Sequence, residues 1–181
     1  MAIALTPDQA EFWLQQILLP LAQNEGRTTR SVLAALPPDG GSYRPDPHAK
    51  TGIDLAWHIA TAERRFLDTV IDAKFEATSF PRPDSIQTGA DVASWYAAAL
   101  DERFQKIAQL KGDHLIKVVD FRGIFQMPAV AFLQLSVMHS IHHRGQLSTY
   151  LRPAGGKVPA IYGESYDSAE ARKAAQAQAA N

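Results

Sequence analysis

An all-α fold, four long helices packed as a bundle, is what this sequence predicts. Three observations carry the prediction. Apolar residues recur every three or four positions through four long stretches. Segments rich in proline and glycine separate those stretches. The chain has 181 residues, 46% of them hydrophobic, enough for one domain with a substantial core. The connections are of mixed length, which predicts one or two crossovers rather than a simple up-and-down order.

The first helix is predicted from "TPDQAEFW", with Thr6 as N-cap, Pro7 at the first helical position and Asp8 against the positive helix end. Phe12, Trp13, Ile17 and Leu21 space its apolar face. Pro20, which has no amide hydrogen to donate, is expected to kink this helix or delay its start. The pattern continues through Val32, Leu33 and Leu36 to "PPDGGSYRPDP". The second helix is predicted from about Thr51 to Lys74, on a stripe of Leu55, Ile59, Ala62, Phe66 and Val70 with His58 on its shoulder. The third is predicted over Thr88 to Leu110, with Val92, Trp95, Tyr96, Ala99, Phe104 and Ile107 inward and Gly112 as its stop. "HLIKVVDFRGIFQMP" breaks the helical period, and its β-branched residues and Arg-Gly pair predict a short extended hairpin. The fourth helix is predicted from near Pro128 to Leu151, where "RPAGGKVP" stops it. A bundle domain is thus expected over residues 1–168. An alanine-rich tail follows over 169–181, a short helix at most and prone to fray.

Composition narrows the function. The formal charge is −1, so no broad basic surface offers itself to nucleic acid, and the arginines of "GRTTR" read as a solvated helix face. The chain has no cysteine, which excludes disulfides and thiolate metal ligands. No signal peptide and no uncharged run of membrane-spanning length is read, so no membrane partner is expected and the expected location is cytoplasmic.

The chemistry is concentrated in "VMHSIHHRGQLSTYLR", which holds three of the six histidines. On a helix, Phe132, Leu135, His139, His143, Leu147 and Tyr150 fall on one side, so His139 and His143 stand where apolar core residues are expected. Four residues apart, they lie one turn apart on one face, the spacing at which two imidazoles can share one metal ion. His142 could share that side, but it sits about 60° away, and His143 aligns better with Leu135, Leu147 and Tyr150. A buried pair of imidazoles needs partners, and a divalent cation supplies one to both. His58 offers a third ligand if the second and fourth helices pack side by side. Three neutral imidazoles leave a coordination position open and suit zinc, nickel, copper or iron(II), with zinc or nickel the expected occupant. Two histidines at this spacing also occur as hydrogen-bonded core groups, so the third matters. His48 and His114 read as surface residues.

Neighbouring residues carry weaker signals. Gln146 could bond a ligand or bound water, or simply rim the core. Asp54, one turn before His58, could accept its ring N–H or be a solvated acid. Arg144 points about 100° from His143 and suits a salt bridge between helices or subunits. Tyr162, Glu164 and Tyr166 could line the mouth. Ser140 follows His139, so the HExxH pattern with its glutamate base is absent, which weakens the case for a peptidase-like hydrolase.

"HSIHHRGQLSTYLR" followed by "GGKVPAIYG", together with "IDLAWHIATAERRFL" upstream, resembles the DinB-like (YfiT-like) superfamily of metal-binding four-helix bundles over residues 5–168. Carried over by position, the resemblance implies His58, His139 and His143 as metal ligands, with His142 outside the set. It implies an up-down-down-up bundle, a homodimer, and a metal-dependent enzyme acting on a small-molecule substrate. That enzyme would be a transferase using a low-molecular-weight thiol or a metal-dependent hydrolase. The alternative is a non-catalytic bundle that binds metal for stability, sensing or dimer assembly.

Overall fold

A computed structural model describes residues 5–179, so residues 1–4 of the expected domain and 180–181 of the tail lie outside the described range. The first helix, α1 (Pro7–Trp13), opens with a reciprocal cap: the Gln9 amide donates to the Thr6 hydroxyl and the Thr6 amide donates to the Gln9 side chain. A widened π-helical turn, Leu14–Leu18, follows, in which the Leu19 amide bonds the Leu14 carbonyl five residues back. The chain then continues as α2 (Leu19–Ala34), with Pro20 in its first turn. The proline therefore neither breaks nor delays the helix, because the wider turn ahead of it accommodates the missing donor.

That turn also corrects the apolar face expected of this segment. Ala10, Leu14, Leu18 and Ala22 are buried, whereas Phe12, Ile17 and Leu21 are 63%, 49% and 40% exposed. Trp13, Ile17 and Leu21 repeat at helical spacing as the buried set does, and both sets are apolar; Trp13 itself is half-buried against the core. Only the rotation of the helix in the bundle decides between them.

Helix α3 (Gly52–Asp72) is capped by Thr51 and ends at Ala73 in a left-handed conformation (φ 49°). Its expected stripe, Leu55, Ile59, Ala62, Phe66 and Val70, is buried throughout. Helix α4 (Gly89–Ile107) starts from a capping box of Thr88 and Asp91. Gly112 does not stop it. Gly112 opens a short turn, α5 (Gly112–Leu115), where a Cβ would lie 2.3 Å from the Pro7 carbonyl oxygen, so glycine is there for close approach to α1. The expected hairpin is present as β1 (Val118–Phe121) and β2 (Phe125–Pro128), paired antiparallel with Phe121 opposite Phe125. Pro128 closes β2, opposite Val118, and does not start a helix; α6 runs from Ala131 to Leu151. The alanine-rich end forms α7 (Tyr166–Ala179), which has no buried residue.

Helices α2 and α3 occupy opposite corners of the bundle, and each packs along both α4 and α6. The connection from α2 to α3, through the 3-10 turn Pro38–Ser42, therefore crosses the bundle end, a crossover of the kind the loop lengths predict. The pairing of α3 with α6 is the most extensive in the molecule, and it sets the two histidine-bearing helices side by side. Among the described residues, no helix is long and apolar enough to cross a membrane.

Candidate metal centre

The structure brings His58 of α3 together with His139 and His143 of α6. Each offers a ring nitrogen within 4.8 Å of the others. The ring centroids are 5.1 Å apart for His58 and His139, 4.6 Å for His58 and His143, and 4.3 Å for His139 and His143. Nε2 of His58 faces Nε2 of His143 at 3.3 Å. Two nitrogens bonded to one tetrahedral ion at about 2.0–2.1 Å would stand roughly 3.4 Å apart, so this pair already has the separation such an ion requires.

The rings do not sit in mid-core as expected. The centre of the buried face of α6 is Ser136, Ser140, Arg144 and Leu147, and the histidines lie on its flank, half-buried. That places the cluster where the α3–α6 seam meets solvent. His142 is exposed and outside the three-nitrogen group, although its ring lies 4.7 Å from that of His143.

Burial keeps the three rings neutral. It is the largest cause of the depression of His58 to about 4 and of His139 to about 3, and the neighbouring His143 adds to both. His143 is lowered too, chiefly by burial, against the opposing effect of the hydrogen bond it donates to Gln146. Neutral imidazoles are the ligand form. Gln146 Oε1 lies 2.6 Å from His143 Nδ1 and can only accept there, so the proton sits on Nδ1 and the Nε2 lone pair faces the cluster. His139 Nδ1 is buried with no hydrogen-bond partner, a cost that a bound cation or its water would remove. Donor type, spacing and this orphan nitrogen all fit a divalent transition metal.

Other expected helpers are elsewhere. Asp54 is exposed, accepts from the Thr51 hydroxyl at 2.6 Å and stands 3.8 Å from Arg82; it braces the Thr51 cap and has no bond to His58. Tyr162 is largely exposed and bonds the Arg144–Glu25 pair through its hydroxyl, Glu164 pairs with Arg172, and Tyr166 begins α7, so none of the three is seen to bond the histidines. His48 is on the surface as expected, but His114 is half-buried and bonds the Val70 carbonyl at 2.9 Å.

Behind the histidines lies a polar network in the core that no sequence spacing announced. Arg144 pairs with Glu25 of α2 at 2.7 Å, fulfilling the expected salt bridge between helices, but at 2% exposure. Glu63 of α3 accepts from the hydroxyls of Tyr96 and Ser140. Complete burial pushes the Glu63 carboxyl up to about 7, against the lowering effect of those two bonds. This value sets a sign. The native state keeps the Glu63 proton where the unfolded chain has lost it. Its contribution to stability is therefore full below about pH 4.5 and disappears as pH rises to about 7. Glu63→Gln cannot titrate, and the histidines titrate alike in both proteins. The wild type should thus lose roughly 3 kcal/mol relative to this variant between pH 4.5 and 7.5. Urea unfolding at the two pH values measures this, and a constant difference would refute it.

The comparisons agree with this architecture. A family model, the DinB family, matches residues 14–177. The uncharacterized protein YrdA of Bacillus subtilis (strain 168) is 34% identical over 112 residues, covering 60% of this chain; the match spans 64% of YrdA's own length. The uncharacterized protein YjoA of the same organism is 25% identical over 129 residues, 70% of this chain and 82% of YjoA. The crystal structure of a DinB-like protein from Bacillus cereus ATCC 10987 superposes with a TM-score of 0.68 at 26% identity, covering 88% of this chain and all of that one. That of YjoA gives 0.64 at 20% identity, over 81% and 99%. The family model runs through the helices of the bundle and both histidine-bearing segments, and the chain belongs to the DinB family.

Proposed function

We propose that His58, His139 and His143 hold a divalent transition metal, zinc or nickel, and that the protein is a metal-dependent enzyme acting on a small molecule by thiol-dependent transfer or by hydrolysis. The observation that carries this reading is the convergence of three neutral imidazoles from two helices, one of them with a buried nitrogen that has no partner. A metal held by three nitrogens supplies a Lewis acid that lowers the pKa of a bound water or thiol.

The chain's own residues do the rest. Gln146 fixes the His143 tautomer, the α3–α6 packing fixes the spacing of the rings, and their half-exposed position admits a substrate. A thiol nucleophile would have to come from a cosubstrate, since the chain has no cysteine. A second copy of the chain is the partner that fits the exposed strip of Phe12, Ile17 and Leu21, and sedimentation reads its presence.

The test is metal analysis of protein purified without a histidine tag, followed by a screen of cellular thiols with electrophilic acceptors. About one metal per chain and turnover lost on chelation are expected. A ratio well under one, with thermal stability indifferent to added zinc and nickel, would end the proposal. Gln146→Leu should weaken metal binding about 10- to 100-fold by freeing the His143 ring, as read by competition with a chromogenic chelator. An unchanged affinity would remove Gln146 from the site.

A further inference from the structure

Little in the shape of α6 opposes its sliding along α3. The face that α6 buries is centred on Ser136 and Ser140, each 1% exposed. Short side chains make low ridges, so ridge-into-groove packing fixes the axial register of such a contact only loosely. Side-chain hydrogen bonds add what packing lacks, and among the described residues α3 and α6 share two. One joins the rings of His58 and His143, 3.3 Å apart at Nε2. The other runs from the Ser140 hydroxyl to the Glu63 carboxyl. The first belongs to the histidine cluster itself, so only the second can hold the cluster from outside.

That second bond lies at the level of the rings. His58 faces His143 with ring centroids 4.6 Å apart, while Phe66, further along α3, meets His139, one turn back on α6, at 5.5 Å. The two helices therefore run antiparallel, and Glu63 meets Ser140 between these two levels. Glu63 is 2% exposed, and its Oε2 accepts a second bond, at 2.7 Å, from the Tyr96 hydroxyl of α4. A slide of α6 by one residue, about 1.5 Å, would part the Ser140 hydroxyl from the carboxyl and leave two buried groups short of a partner. The same slide would carry His139 and His143 past His58, and metal–nitrogen distances hold only within about 0.2 Å. One bond thus penalises the displacement that would most disturb the rings.

We propose that Ser140 and Glu63 are positioning residues for the three-histidine centre: their bond locks α3 against α6 in the one axial register at which the ring of His58 meets those of His139 and His143. This rests on the reading of the histidines as a metal site. Neither residue offers an atom to the three-nitrogen group, so both act through the helices that carry it. A buried polar pair suits this task because it is satisfied at a single offset, whereas apolar contacts are satisfied at several.

Three variants of the full chain test this. Ser140→Ala removes the bond, Glu63→Gln keeps an acceptor oxygen for it, and Tyr96→Phe removes the other donor to the same carboxyl while leaving α3 tied to α6. Zinc affinity is read by competition with a chromogenic chelator, register by the nuclear Overhauser contact between the His58 and His143 rings in metal-free protein, and stability by urea unfolding. Ser140→Ala should weaken zinc binding about tenfold or more and lose the ring contact. Glu63→Gln should keep the ring contact and the zinc affinity of the wild type. Tyr96→Phe should unfold at lower urea yet keep both as well, which a merely structural role for the carboxyl would not predict. Ser140→Ala with the ring contact retained, or with zinc binding weakened less than tenfold, overturns the proposal. So does a Tyr96→Phe or Glu63→Gln variant that loses as much as Ser140→Ala. The ring contact reads register without zinc. Failure of the metal reading therefore appears separately, as a wild type that binds no zinc while its ring contact still depends on Ser140.

Discussion

Replacing Arg144 with alanine is expected to destabilise the protein by about 3–5 kcal/mol, the largest effect of any single substitution outside the hydrophobic core. Arg144 is 2% exposed and Glu25, its partner at 2.7 Å, is 4% exposed. Arg144 also donates to the Tyr162 hydroxyl at 2.6 Å, and that hydroxyl donates to Glu25 at 2.8 Å. Removing the guanidinium leaves a carboxylate in the core with one remaining donor and no countercharge, and most of the loss is the cost of that stranded charge. Removing both charges should cost far less. The double variant Glu25→Leu, Arg144→Met is expected within about 1–2 kcal/mol of the wild type, because its apolar side chains need no partner. Denaturant unfolding of the two single variants and the double variant completes a cycle. If Arg144→Ala alone falls by less than 1 kcal/mol, water reaches Glu25 and the network is not sealed as described.

His139→Ala is expected to weaken metal binding by roughly a hundredfold to a thousandfold. Binding energies of about 10–16 kcal/mol spread over four ligands give about 2.5–4 kcal/mol for each, which sets this range. His139 is the informative choice because its Nδ1 lacks any partner in the fold. His58 and His143 can satisfy one another across 3.3 Å without a metal, since one ring can donate to the other. Loss of His139 should therefore leave the helical circular dichroism intact and abolish the rise in melting temperature on adding zinc. His142→Ala, on an exposed ring, serves as the control and should leave both unchanged. Retention of full zinc affinity in His139→Ala would exclude the three-ligand site while leaving the bundle as it is.

Three of the four long helices were legible almost to the residue at their starts. Thr6 caps where the sequence places it, and Thr51 and Thr88, expected only as helix starts, prove to be the caps, because a cap is a hydrogen bond to an amide two or three residues on and needs nothing distant; the fourth helix begins at Ala131 and not near Pro128. His58 was legible for a related reason: its neighbours Leu55, Ile59 and Ala62 define the inward face of α3, which leaves His58 at its edge. The misreadings share a different cause. Trp13, Ile17 and Leu21 form as good a stripe as Leu14, Leu18 and Ala22, and only the widened turn before Leu19 and the packing against α4 and α6 choose between them. On α6, the periodicity that aligned His139 with Phe132 was right about the spacing but about one residue off in rotation. The core centre therefore fell to Ser140 and Arg144.

By itself the sequence determined the number of long helices, the cap of the first, the hairpin, and a pair of histidines one turn apart on one face. All of these follow from interactions spanning a few residues, which the local order of side chains specifies. Only the tertiary structure decided that His58 meets that pair, that Arg144 is buried against Glu25 and not solvated, and that Gln146 rather than Asp54 orients a ring. Those outcomes depend on how far each helix is turned about its own axis. That angle is set jointly by the packing of four helices around one core, so no single stretch of chain contains it.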